Sequence, residues 1–346
     1  MKNWNFGIVG AGMIADFHAK AIQSLNNAKL IGICGSNPEK GRALGEKYQC
    51  RIFSSYEEML RSAEIDIVTI ATPSGTHMEP TIAAAKHGKH VICEKPLEIS
   101  LERIDKMIEA HAIAGTYLGG IFNYRFDETV KPLKNAIETG RFGTINHASV
   151  HIPWWRSDNY YNDSWHGTWK LDGGGALINQ SIHMIDLLQY LMGPAQSLQA
   201  YTATLGHDIE VEDTATAILQ FKNKALGMVF GSTASFPGQF RRLEITGTKG
   251  TVVQVENSFK VWQFAEQTKA DKKIENQLNE IGSGGGVSNP AAINFELHAK
   301  NIAAFIDSIE AGRRFEIDGS EARKAVEIVL AIYEAAREKR IFYFNP

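Results

Sequence analysis

The chain has 346 residues, enough for about two domains that each bury a core, which excludes a disulfide-stapled miniprotein or a bare peptide-binding module. Its 36 Lys and Arg against 39 Asp and Glu give a formal net charge of −3, and 44% hydrophobic with 22% charged residues is the balance of a folded chain, not a disordered one. Basic residues are interspersed with acids, as in Glu39-Lys40, so the clustered cations that displace counterions from nucleic acid are missing and no such partner is expected.

From the N-terminus, residues 5–121 repeat one pattern of short apolar run, turn and amphipathic segment. Strands are predicted at 5–9, 30–34, 66–70, 90–93 and 117–121, with helices at 13–25, 38–48, 77–87 and 101–114 between them. Strands separated by helices require crossovers and hence a parallel sheet. The first strand runs into Gly10-Ala11-Gly12-Met13-Ile14-Ala15, a G-x-G-x-x-A turn that opens a helix. Strand before, helix after and second strand beyond make this a dinucleotide-binding turn: Gly10, Gly12, Met13 and Ile14 become cofactor-binding candidates, with the pyrophosphate at the helix N-terminus. The second strand ends in Cys34-Gly35-Ser36-Asn37, without the Asp or Glu that binds a ribose 2′-hydroxyl. Ser36, Lys40 and Arg42 are suited to a 2′-phosphate, so the cofactor is read as NAD(P), with NADP favoured slightly over NAD.

Beyond about residue 124 the pattern changes. Helices near 127–140 and 175–192 accompany longer alternating runs at 145–152, 197–205, 214–221, 225–234, 241–247 and 250–256, separated by short turns. Such a succession predicts a large, mostly antiparallel open sheet in a C-terminal α+β domain. The expected organisation is thus α/β: a Rossmann dinucleotide-binding domain over 1–123 and a substrate-binding and oligomerisation domain over 124–346. Residues 281–290 are glycine-rich and read as a mobile loop, followed by helices at 291–311 and 320–337. No apolar stretch reaches the ~18 residues of a membrane span, so no membrane partner is expected. Cys34, Cys50 and Cys93 are far apart with no metal-binding spacing, which predicts no metal site and a reducing compartment. With no apolar leader behind Met1, a cytoplasmic, soluble protein is expected.

Several further segments stand out: His90-Val91-Ile92-Cys93-Glu94-Lys95-Pro96, Ala71-Thr72-Pro73-Ser74-Gly75-Thr76-His77, Asn123-Tyr124-Arg125-Phe126, Gly173-Gly174-Gly175 with His183 and Asp186, and Asp318-Gly319-Ser320-Glu321-Ala322-Arg323. Through them the chain resembles the Gfo/Idh/MocA family of sugar and inositol oxidoreductases over nearly its whole length. The resemblance implies a second domain whose open sheet often forms the subunit interface, hence a homodimer or homotetramer. It implies that Lys95 lies beside nicotinamide and substrate, often with a cis peptide before Pro96, and that Thr72, Pro73, His77 and Glu94 belong to the cofactor side. On the substrate side it points to Tyr124, Asn179 and His183.

Asn179 and His183 are four apart and share a helix face. Inositol dehydrogenase-like members carry Asp at the earlier position, where this chain has Asn, which takes no proton. That departure leaves His183 as general base with Lys95 holding the oxygen, and looks more like the nucleotide-sugar 3-dehydrogenases and 3-ketoreductases of the family. Asp186, one turn on, either orients His183 or is an exposed helix residue. The aromatic stretch 154–172, with Trp165 among its rings, suits a sugar face, and Arg156 or Lys170 suits an anionic group; equally, the rings pin a long loop. The expected activity is hydride transfer between nicotinamide and a secondary carbinol or ketone of a sugar, sugar derivative or cyclitol. Its rivals are a glycosidase that uses tightly bound NAD for transient oxidation, and a non-catalytic cofactor sensor.

Overall fold

The protein is described by a computed structural model over residues 2–162, 165–275 and 295–345. The glycine-rich stretch 281–290 and the first residues of the helix expected from 291 lie outside the described residues. The N-terminal part alternates β1 (Trp4–Val9), α1 (Met13–Gln23), β2 (Ala28–Cys34), α2 (Pro38–Tyr48), β3 (Arg51–Ile52), α3 (Tyr56–Leu60), β4 (Ile67–Ile70), α4 (Met78–Lys86), β5 (His90–Cys93), α5 (Leu101–Ala114) and β6 (Leu118–Gly120). The six strands form a parallel sheet in the order β3-β2-β1-β4-β5-β6. Helices on both faces explain why β4 is buried at every position and reads as a continuous apolar run. The helix ends are locally encoded: Asn37 accepts the Lys40 N–H and Pro38 opens α2, while Ser100 accepts the Arg103 N–H of α5, which stops at Gly115 in a left-handed conformation. β3 and α3 were not expected; β3 is two exposed residues and α3 five, too short for a periodic signal.

The second sheet is built from β7 (Ile145–Pro153), β8 (Ala195–Ala203), β9 (Thr214–Phe221), β10 (Leu226–Ser232), β11 (Arg242–Gly247), β12 (Gly250–Val255), β13 (Ser258–Phe264) and β14 (Phe342–Tyr343), in the order β13-β12-β11-β7-β10-β9-β8-β14. Only the β10–β7 pair is parallel. α6 (Val130–Glu138), α7 (Ile182–Met192) and α8 (Lys269–Glu275) accompany it, and α7 is preceded by a π-helical turn, Ala176–Ser181. In β9 the buried Ala215, Ala217, Leu219 and Phe221 alternate with exposed Thr216, Ile218 and Gln220, so one face packs a core and the other stays open. The chain closes with α9 (Glu296–Glu310) and α10 (Gly319–Glu338) before β14.

By packing, one compact unit comprises the described residues of Met1–Asn123, Lys170–Gly173 and Asn294–Val326, and the other those of Tyr124–Trp169, Gly174–Ile293 and Glu327–Pro346. The single span 124–346 expected for the second domain is therefore divided. Residues 170–173 are tied to the first unit by the Gly75 N–H donating to the Leu171 carbonyl at 2.7 Å, and α9 packs on α1. Among the described residues no helix is long and apolar enough to cross a membrane.

Candidate functional site

In the first unit the strand order reverses between β1 and β4, and their carboxyl ends flank the crevice where open α/β sheets bind ligands. Gly10 has φ +127°, and a Cβ there would overlap the Ala71 carbonyl at the end of β4; only glycine lets the two strand ends close up. Gly12 is the N-cap of α1, has no side-chain cap, and a Cβ built on it meets nothing within 4 Å. The start of α1 is therefore open beside Gly12 and uncapped by a side chain, and the turn fits a pyrophosphate. Met13, at 49% exposure, and the half-buried Ile14 open the helix beside it. Ser36, Lys40 and Arg42 are exposed. A Cβ at Gly35 would lie 2.6 Å from that of Ala11, so packing alone keeps this position a glycine.

Thr72 and Pro73 form the half-buried loop after β4. His77, expected on the cofactor side, is buried with Nε2 2.9 Å from the Thr72 carbonyl and Nδ1 3.0 Å from that of Pro96, so it clamps the loops after β4 and β5 together. The Lys95–Pro96 peptide is cis and Lys95 is half-buried at the carboxyl end of the sheet. The Glu94 side chain is turned into the interior, with Oε1 2.7 Å from His18 Nε2 and Oε2 accepting the Lys95 N–H at 3.1 Å. Burial alone would raise its pKa; the hydrogen bonds from His18 and His298 outweigh that and hold the carboxyl well below the usual range.

In the second unit Gly174 and Gly175 have a packing cause. A Cβ on Gly174, φ +151°, would overlap the Tyr333 hydroxyl, and one on Gly175 would overlap the Glu212 carbonyl. The Glu212 carboxylate accepts the N–H of Gly175, the N–H of Leu177 and the Tyr333 hydroxyl, each at 2.9 Å. These bonds fasten the start of the π turn, yet burial is the larger effect and pushes Glu212 up to about 7. From Ala176 to Gln189 every residue is buried except Asn179 and His183. The turn thus presents those two polar groups together, and π-helical turns recur at functional sites. The His183 ring lies against Tyr124, centroids 4.7 Å apart, and the Arg241 guanidinium sits 3.6 Å from the Tyr124 centroid. Asp186 is no exposed helix residue: it is buried and accepts two bonds from the equally buried Arg125, at 2.6 and 2.8 Å.

Arg156 is buried in the second unit, donating to the Trp155 carbonyl at 3.0 Å with the Trp154 and Tyr160 rings nearby, and burial pushes its pKa down. Lys170 is exposed in the first unit. Trp165 stacks on His166 at 3.7 Å and His166 on Tyr160 at 4.3 Å, while the Tyr160 hydroxyl accepts from Gln180 of the π turn at 3.1 Å. The aromatic stretch is therefore packed on itself and on the turn that carries Asn179. Sequence reasoning missed His18, His298, Glu212, Tyr333 and Arg241. Of these, only Glu212 and Tyr333 had a signal, the glycine triplet that demands a close neighbour.

Residues 4–119 match the family described as an oxidoreductase family with an NAD-binding Rossmann fold, and residues 130–253 match the GFO/IDH/MocA C-terminal domain. The structure superposes on the WlbA dehydrogenase of Bordetella pertussis, solved with NADH and UDP-GlcNAcA, with TM-score 0.92 and 34% identity over 100% of this chain and 99% of that one. The chain belongs to the GFO/IDH/MocA family. This family member is an NAD-binding oxidoreductase. The WlbA dehydrogenase of Chromobacterium violaceum, also with NADH and UDP-GlcNAcA, is 32% identical with TM-score 0.90, covering 100% of this chain and 97% of its own. Myo-inositol 2-dehydrogenase of Thermotoga maritima is 27% identical over 96% of both chains.

Proposed function

We propose that the enzyme oxidises a secondary carbinol of an anionic nucleotide sugar, a UDP-linked N-acetylhexosaminuronate, at the 3-position. The observation that carries this is the half-buried pair Asn179/His183, set in an otherwise buried run from Ala176 to Gln189, with Asn where inositol dehydrogenase-like members have Asp. The likeness to two dehydrogenases solved with UDP-GlcNAcA supports the same reading. The bound nicotinamide supplies a hydride acceptor. The chain's part is to hold the reacting oxygen with the Lys95 ammonium and to take the hydroxyl proton on His183, with Asn179 hydrogen-bonding the substrate. Tyr124, Arg156 and Trp165 are assigned to substrate binding, Arg156 for the anionic group.

The absence of an acid at residues 35–37 favours NADP, whereas the neighbours' NADH complexes favour NAD. We take NAD(H) as the cofactor to test first, and NADPH binding tighter than NADH would restore NADP. Three free cysteines, two of them buried, fit a reducing cytoplasm. The open face of the second sheet is assigned to self-association. Following NADH formation with UDP-GlcNAcA, neutral UDP-GlcNAc and myo-inositol tests the substrate: preference for the uronate is expected, and faster turnover of either neutral compound overturns it. Release of an aglycone without added cofactor would indicate the glycosidase instead.

A further inference from the structure

The first unit buries a group of side chains that the reaction scheme above does not use. His18 of α1, Glu94 after β5 and His298 of α9 are all buried, and their ligating atoms lie within 4.8 Å of one another. His18 Nε2 is 2.7 Å and His298 Nε2 3.4 Å from the same oxygen, Glu94 Oε1. Each imidazole is oriented from behind. Thr69 Oγ1 lies 2.9 Å from His18 Nδ1, and Asn123 Nδ2 lies 3.2 Å from His298 Nδ1. An amide N–H on Nδ1 makes that nitrogen the acceptor and leaves the His298 proton on Nε2, facing Glu94. A hydroxyl donating to His18 Nδ1 does the same there.

His₂Glu is also a zinc-binding composition, but donors about 2.0–2.1 Å from a tetrahedral ion stand roughly 3.3 Å apart. The 2.7 Å His18–Glu94 approach is that of two atoms sharing a proton. The other Glu94 oxygen accepts the backbone N–H of Lys95 at 3.1 Å. The carboxylate therefore joins two buried imidazoles to the peptide that carries Lys95.

We propose that His18, Glu94 and His298 are positioning residues: two imidazole N–H groups lock the Glu94 carboxylate, which fixes the Lys95 peptide and so the place of the ammonium. This rests on the reading of Lys95 as the residue that holds the substrate oxygen. A side chain held to a fraction of an ångström loses effect steeply when its support is removed, on the order of 100-fold per ångström of misplacement. Glu94→Gln keeps the shape and loses the charge; His298→Leu removes a donor; His298→Gln restores one N–H.

The test uses the full-length enzyme and measures kcat, the KM for nicotinamide and for sugar, and the thermal midpoint. Glu94→Gln and His298→Leu are expected to lower kcat about 10–100-fold with both KM values within about threefold, and His298→Gln to recover most of the loss. If His298→Leu does not fold, Glu94→Gln and His18→Gln carry the test. Turnover of Glu94→Gln at the wild-type rate, while Lys95→Met is inactive, overturns the positioning role and leaves the reading of Lys95 standing. An active Lys95→Met overturns that reading itself. Stoichiometric zinc in the purified enzyme overturns the proton-sharing arrangement.

Discussion

Lys95 and His183 carry separate demands. In the proposed scheme the Lys95 ammonium holds the oxygen, whereas His183 must be a neutral imidazole to take the hydroxyl proton. Lys95→Met and His183→Asn are each expected to slow turnover about 10²–10⁴-fold while NADH binding persists. A folded variant with near-normal turnover removes that residue from the mechanism. Cofactor choice is also set by single residues. Gly35 cannot take a carboxylate because its Cβ would press on Ala11, whereas exposed Ser36 has room. Ser36→Asp is expected to weaken NADPH binding relative to NADH by repelling the 2′-phosphate, as titration of both nucleotides will show; an unchanged ratio places the discrimination elsewhere. At this scale the glycine turn and Glu94-Lys95-Pro96 were legible because each sits at a strand end whose context the sequence supplies. His18 and His298 were not, since each looks like one more helix residue until α9 is placed on α1.

Among the elements, the π turn shows how backbone and buried charge are coupled. Glu212 fastens its first residues through two N–H groups and Tyr333, yet burial makes the ionised form costly and the carboxyl is raised from 4.5 to about 7. A raised folded-state value means that the folded protein binds more protons than the unfolded chain between those limits. Stability is then full below about pH 4.5 and falls as pH rises toward about 7, by about 3 kcal/mol in total for this buried group. Glu212→Gln removes the titration, so the difference in unfolding free energy between variant and wild type is expected to shift in the variant's favour between about pH 5 and about pH 8. Denaturant melts at both pH values check it; a constant difference means that Glu212 does not titrate in the fold. The helix at 175–192 was visible from its apolar periodicity, but the π turn at its start was not. The groups that fasten its start, Glu212 and through it Tyr333, lie 35 and more residues away in sequence.

Across the molecule, the alternating first sheet could be read almost strand by strand, because each buried parallel strand is a short apolar run between helix-length segments. In the second sheet β7 to β12 were equally visible, whereas β13 and the two-residue β14 were not expected, and none of the strands' partners could be read. A strand pattern records which face is buried and carries no record of its neighbour, so the parallel β10–β7 pair and the return of 295–326 to the first unit had no signal. What the pattern does record is the open face. Tyr201, Ile218 and Leu226 are 76%, 58% and 59% exposed, and the ladders set Thr216 between Tyr201 and Phe230, and Met228 beside Ile218. Leu226, Met228 and Phe230 on β10 with Ile218 on β9 form an apolar patch, and Tyr201 lies across Thr216 from it, a surface of the kind that marks association. Ile218→Lys combined with Leu226→Glu places charges on that patch without touching the buried alternation beneath it, since both side chains point away from the core. The double variant is expected to keep its thermal midpoint and to sediment as a single chain where the wild type sediments as a dimer or tetramer. A wild type that sediments as one chain, or a double variant that stays associated, removes the open face from assembly.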